Sequence, residues 1–110
     1  MANNSTGLSS FATASDKKLI DEQHVISSKK GNGILHREVW VDDSGNVTRY
    51  NLAYINHNLF SDDNGRIIGF DNAHGYHHRH DYGKVEAVTF TSFAETEWLF
   101  EQAWLALRSK

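Results

Sequence analysis

The chain has 110 residues, enough for one modest hydrophobic core and too few for two. Hydrophobic residues make up 39% and charged ones 23%, and Lys plus Arg number 11 against 14 Asp plus Glu, a net charge of −3 with histidine neutral, which excludes a global basic field for nucleic acid or membrane. Without cysteine there is no disulfide framework or thiolate metal site, and no apolar run approaches the roughly 18 residues of a membrane span, so a soluble, cytoplasmic protein is expected.

Residues 1–15 carry no charged side chain and consist mostly of Asn, Ser, Thr, Ala and Gly. That composition cannot offset the entropy of ordering, and it predicts a flexible tail ahead of a single domain over residues 16–110. From Asp16 onward three clusters, at residues 29–33, 42–46 and 61–65, are rich in Gly, Asn and Asp. Such residues tolerate positive φ and close Asx turns, so the clusters read as hairpin turns. The 8 and 14 residues between them suit antiparallel strands and leave no room for crossover helices. Lys17 to Ser28 reads as an edge strand. Leu35, Val39 and Val41 share parity in the next segment, and Tyr50, Leu52 and Tyr54 alternate with Asn51 and Ala53. Arg66 to Asn72 and Val85 to Phe90 complete a five-stranded antiparallel meander, with residues 74–84 as the connection between its last two strands.

After Phe90 the apolar period changes from two to near 3.6. Ser92 followed by Glu95 makes a capping box that starts a helix. Phe93, Leu99, Phe100, Ala103, Trp104 and Leu107 form one stripe of it, fit to lie on a sheet, while Trp98 and Leu105 share the other face. The expected fold class is therefore α+β, a meander with one C-terminal helix packed on it. An outward-facing Trp98 and Leu105, or the first strand's open edge, offers a surface for a homodimer or another partner.

Four of the seven histidines fall between His74 and His80. Imidazole serves as acid or base at neutral pH, and cleavage of RNA needs one of each: a neutral ring to take the 2′-hydroxyl proton and a protonated one to supply the leaving 5′-oxygen. Arg79 and Lys84 are the nearest cations, and against Asp81 they leave +1 over residues 74–84, or +5 with the four histidines protonated. Asp71, at a strand end, is placed to hold one histidine in the needed tautomer. The same residues also supply donors for zinc or nickel, but in no known zinc spacing, and His78 and His80 on one strand face leave the third ligand to His74 across Gly75. No regular element presets three ligands, so metal-free protein is expected. The plain reading is a solvated polar connection. His24, His36 and His57 stand alone in strand segments, and Asp62-Asp63-Asn64-Gly65 lacks the later Glu of a calcium loop and reads as a turn.

The run DNAHGYHHRH, preceded by Arg66-Ile67-Ile68 and followed by a strand and the Phe90-Thr91-Ser92-Phe93 helix start, resembles the TumE family of bacterial toxin–antitoxin proteins. The likeness extends upstream to Tyr50-Asn51-Leu52-Ala53-Tyr54 and covers roughly residues 17–108. It falls on Asp71, Asn72, His74, Gly75, His78 and His80, which match the family's Asp-Asn, His-Gly and His-x-His elements, whereas His77 lies in a stretch that varies. The resemblance implies a small cytosolic toxin encoded beside a helix-turn-helix antitoxin. Joined to the histidine chemistry, it makes the leading expectation a metal-independent endoribonuclease using His74, His78, His80, Arg79 and Asp71, without a cofactor. The alternatives are a non-enzymatic toxin that binds a protein target through the His-rich loop, and a His-ligated metallohydrolase.

Overall fold

The computed structural model of the chain describes residues 16–108; the expected N-terminal tail, residues 1–15, lies outside them. Strands β1 (Lys17–Val25), β2 (Ile34–Val41), β3 (Val47–Ile55), β4 (Arg66–Asp71), β5 (His78–Asp81) and β6 (Lys84–Ala87) precede helix α1 (Phe93–Arg108). The strands form one antiparallel sheet in sequence order, with β1 and β6 at its edges. The α+β meander with a C-terminal helix thus stands, with six strands and not five. The added strand is β5, inside what reads as a connection: His78, Arg79, His80 and Asp81 contain no aliphatic residue to signal alternation. They pair with Asp71, Phe70, Gly69 and Ile68 of β4.

The three predicted turns are present, and each closes through residues that accept the left-handed region. Asp42 is typical: its carboxylate accepts from the N–H groups of Ser44 and Asn46 at 2.9 and 3.0 Å, closing an Asx-type turn before Gly45 at φ 87°.

Helix α1 lies against β3 and β4. Tyr50, Leu52, Tyr54, Ile68 and Phe70 meet Phe100 there, and Phe93, Ala103, Trp104 and Leu107 flank them. The predicted stripe is correct except for Leu99, which is exposed; Thr96 is buried in the helix beside Phe100. Ser92 Oγ accepts from the Glu95 N–H at 3.1 Å, one half of the expected capping box. Arg37 and Glu97 tie β2 to the helix. Trp98 and Leu105 are exposed, as their helical positions predict.

The sheet's other face carries no helix among the described residues. Because side chains alternate, the helix face of β4 and β5 takes Phe70 and Arg79, and the open face takes Gly69, Asp71, His78 and His80. Asp21, Glu38, Asn51, Asp71 and His78 stand opposite one another on five consecutive strands. This polar row crosses five of the six strands on the open face and leads into the site.

Candidate functional site

At the end of β4 the backbone turns away from the sheet, and Asn72 closes the ladder with its side chain. Its Oδ1 accepts from the Tyr50 N–H and its Nδ2 donates to the Thr48 carbonyl, both at 3.0 Å. The Asn of the Asp-Asn motif is therefore structural, and it fixes the position of its neighbour. Asp71, itself buried, accepts from the Ala73 N–H at 3.0 Å. Its two carboxylate oxygens then face two imidazoles: Oδ1 lies 2.8 Å from His78 Nε2 and Oδ2 lies 3.0 Å from His80 Nε2. Both histidines are buried on β5, and their rings stand edge to face at 4.8 Å.

Hydrogen-bond partners distinguish the two rings. His78 Nδ1 lies 3.1 Å from the Tyr76 carbonyl, which only accepts, and its Nε2 faces a carboxylate, so both nitrogens of His78 are placed to donate. His80 donates through Nε2 to Asp71, while its buried Nδ1 has no hydrogen-bond partner; the nearest charged group is the Asp63 carboxylate at 3.9 Å. Burial, and then the Arg66 charge, outweigh the Asp71 carboxylate and hold His80 below the usual imidazole pKa. One carboxylate thus joins two imidazoles in unlike surroundings: His78 has an acceptor at each nitrogen, and His80 at Nε2 alone.

Arg66 is the cation that reaches Asp71, and the sequence reading missed it. Its Nε and Nη2 donate to Asp63 at 2.9 and 3.0 Å, and its Nη1 reaches Asp71 Oδ2 at 3.5 Å. The available signal was Gly69, an isolated glycine in a strand, which marks a close approach: a Cβ there would stand 2.8 Å from Arg66 Cδ. Glu38, Arg49, Asn51, Arg66, His74, His78 and His80 line, with Asp71, a polar pocket of about 260 Å³.

The other predicted residues divide. His74 lines this pocket from an exposed bend at φ 64°, next to Gly75 at φ 86°. Arg79 lies on the helix face, with its guanidinium 5.5 Å from the Phe70 ring centre and Nη2 3.4 Å from Asp81, so the structure does not bring it to the histidines. Lys84 is exposed on β6, at a separate pocket on the far side of His80. His77 also turns away: its ring stacks on Phe90 at 4.0 Å and its Nδ1 lies 3.0 Å from the Tyr50 hydroxyl. Burial and the neighbouring His78 lower its pKa.

Asp71, His78 and His80 form a three-donor group in which one atom of each lies within 4.8 Å of the others. The expectation that no regular element presets three ligands therefore loses its ground: two strands do so, with Asp71 and not His74 as the third. A second such group, Asp21, His36 and Glu38, sits on the same face at the sheet's edge, but the Lys18 ammonium already lies 2.9 Å from Asp21 and 2.6 Å from Glu38.

A helix-backed meander with a histidine–carboxylate centre on its open face defines a small α+β domain built to present polar chemistry from a sheet. The chain belongs to the family described as Toxin TumE, whose model matches residues 13–109. It is thus a toxin by family, and an antitoxin is its implied partner. No curated protein and no solved structure matches the chain. No helix among the described residues is long and apolar enough to cross a membrane.

Proposed function

We propose that this toxin is an endoribonuclease that works by histidine acid–base chemistry without a metal. The observation that carries the reading is the Asp71 carboxylate between two imidazoles with unlike hydrogen-bond partners. His80, held below the usual imidazole pKa, is the base: it takes the proton of the 2′-hydroxyl at Nδ1, its nitrogen without a partner, once its ring turns that atom toward the pocket, and His78 is the acid. The 2′-oxygen attacks phosphorus, the bond from phosphorus to the 5′-oxygen breaks, and the His78 proton goes to that oxygen. Asp71 orients both rings. Arg66, in place of Arg79, supplies the fixed charge for the phosphorane, and His74 contacts the substrate from the pocket's edge. The balanced products are a 2′,3′-cyclic phosphate and a free 5′-hydroxyl.

RNA as substrate places the toxin's work in the cytoplasm. The exposed Trp98 and Leu105 of α1 support an antitoxin, of the helix-turn-helix kind, or a second copy meeting the protein away from the catalytic face. The test is cleavage of defined RNAs by purified toxin, with His78→Ala and His80→Ala variants checked for fold. Loss of cleavage with retained antitoxin binding supports the proposal, and full cleavage by both variants overturns it.

A further inference from the structure

We propose that Asp71, His78 and His80 also form a capture site for one divalent transition-metal ion, and that the ion silences the centre by occupying the nitrogens that acid–base chemistry needs. The second half of this statement rests on the proposed reaction; the first does not.

The donor set comes first. Two imidazole nitrogens and one carboxylate oxygen suit zinc, nickel, cobalt or copper, and they discriminate against magnesium and calcium, which prefer all-oxygen shells. Atoms bound to one zinc ion at about 2.0 to 2.2 Å stand about 3 to 3.5 Å apart. The 2.8 and 3.0 Å separations run to different oxygens of Asp71, and one donor atom from each residue lies within 4.8 Å of the others, so side-chain movements of about an ångström bring the three onto one ion. Rigid strands hold all three donors, and the pocket beside them leaves room for water or phosphate to complete the shell.

The outer shell is the second observation. A ligating histidine ordinarily donates its other N–H to a carbonyl or carboxylate. His78 Nδ1 already does so, at 3.1 Å from the Tyr76 carbonyl. His80 is only 7% exposed, and its Nδ1 is left unpartnered 3.9 Å from Asp63, itself clamped by Arg66. In the ion-free arrangement a bare lone pair faces a carboxylate there. With an ion on Nε2 the ring's proton moves to Nδ1 and faces Asp63 attractively across 3.9 Å, where a small movement closes a hydrogen bond.

Calorimetry of the full chain with zinc or nickel chloride reads the stoichiometry. One ion per chain is expected, with no binding of magnesium or calcium chloride. Asp63→Asn should weaken the ion about 10- to 100-fold while preserving the three ligands, and His36→Ala should leave the stoichiometry unchanged. RNA cleavage should fall as zinc is added and return with chelator. Absence of zinc binding to folded protein overturns the capture site and leaves the acid–base reading intact. Stoichiometric zinc that leaves cleavage unchanged overturns the silencing, and zinc that raises cleavage overturns both the silencing and the metal-free reaction. Zinc bound by a chain that cleaves no RNA upholds the capture site and sinks the proposed reaction.

Discussion

The stem of Arg66 lies across Gly69, close enough that an added Cβ at Gly69 would stand 2.8 Å from Arg66 Cδ and 3.3 Å from the Leu52 carbonyl oxygen. This contact lets a cation at the start of β4 reach the carboxylate at its end. Gly69→Ala should therefore displace the guanidinium from Asp71 and cost about 1 to 3 kcal/mol by overpacking. RNA cleavage should fall in step with Arg66→Ala, while far-UV circular dichroism stays native. A Gly69→Ala protein as active as wild type would remove Arg66 from the site.

Neighbouring histidines should separate cleanly. His77 and His78 are adjacent in sequence, but strand alternation sends one to the Phe90 stack and the other to Asp71. His77→Gln is expected to retain cleavage and to lose stability by about 1 kcal/mol, the worth of an ordinary hydrogen bond such as that to Tyr50. His78→Gln should abolish cleavage. The Tyr50 phenol, pushed by burial up to about 12, should stay protonated in an ultraviolet titration to pH 11.

Helix α1 offers a graded pair. Ser92→Ala removes the acceptor for the Glu95 N–H and should cost about 0.5 to 2 kcal/mol. Phe100→Ala empties a site that is 7% exposed, edge-on to Phe70, and should cost about 3 to 5 kcal/mol. Denaturant melts giving the two variants equal midpoints would displace Phe100 from the centre of the core.

Acid should weaken the fold before the carboxylates titrate. His80 and His77 both have folded-state pKa values below the imidazole reference. Between those values and about 6.5 the unfolded chain binds more protons than the folded one, so stability rises with pH through that window. Asp21, Glu38 and Asp42 are held low by their partners and add a second loss below about 4. Urea midpoints should therefore drop as pH falls from 6.5, and His80→Gln should flatten that slope.

How far the sequence foretells this arrangement follows from what each residue signals. Period-two alternation at Tyr50, Leu52 and Tyr54 marks a half-buried strand, and the 3.6 period after Ser92 marks the helix, because each pattern reflects burial on one side. β5 has no such signal. His78 and His80 are buried by pairing with β4 and by a carboxylate partner, and hydropathy does not register burial of that kind. The histidines and Asp71 could be singled out by chemistry, but the face each occupies could not, since a residue's parity has no meaning until its strand is known. Arg79 therefore stood beside the histidines in sequence and lies across the sheet from them in space. Arg66, five residues before Asp71, comes to it only because Gly69 leaves the path clear.

The proposed chemistry makes its sharpest demand on the substrate's 2′-hydroxyl. His80 must be neutral and His78 protonated in the same molecule, so cleavage should follow a bell-shaped pH profile centred at about 6 to 7. Burial and the Arg66 charge lower the His80 pKa, which extends activity on the acidic side below the ordinary imidazole value. His80→Ala should flatten the acidic limb of whatever activity remains, and His78→Ala the alkaline one. Because the attacking oxygen belongs to the RNA itself, the first product must carry a 2′,3′-cyclic phosphate. A water activated by an ion would leave a linear phosphate. An RNA with a single 2′-deoxy position at the scissile link should bind with unchanged affinity and resist cutting there, as read by mass spectrometry of the fragments. Cleavage at that link would show that the nucleophile is not the 2′-oxygen, and the division of labour between His78 and His80 would fall with it.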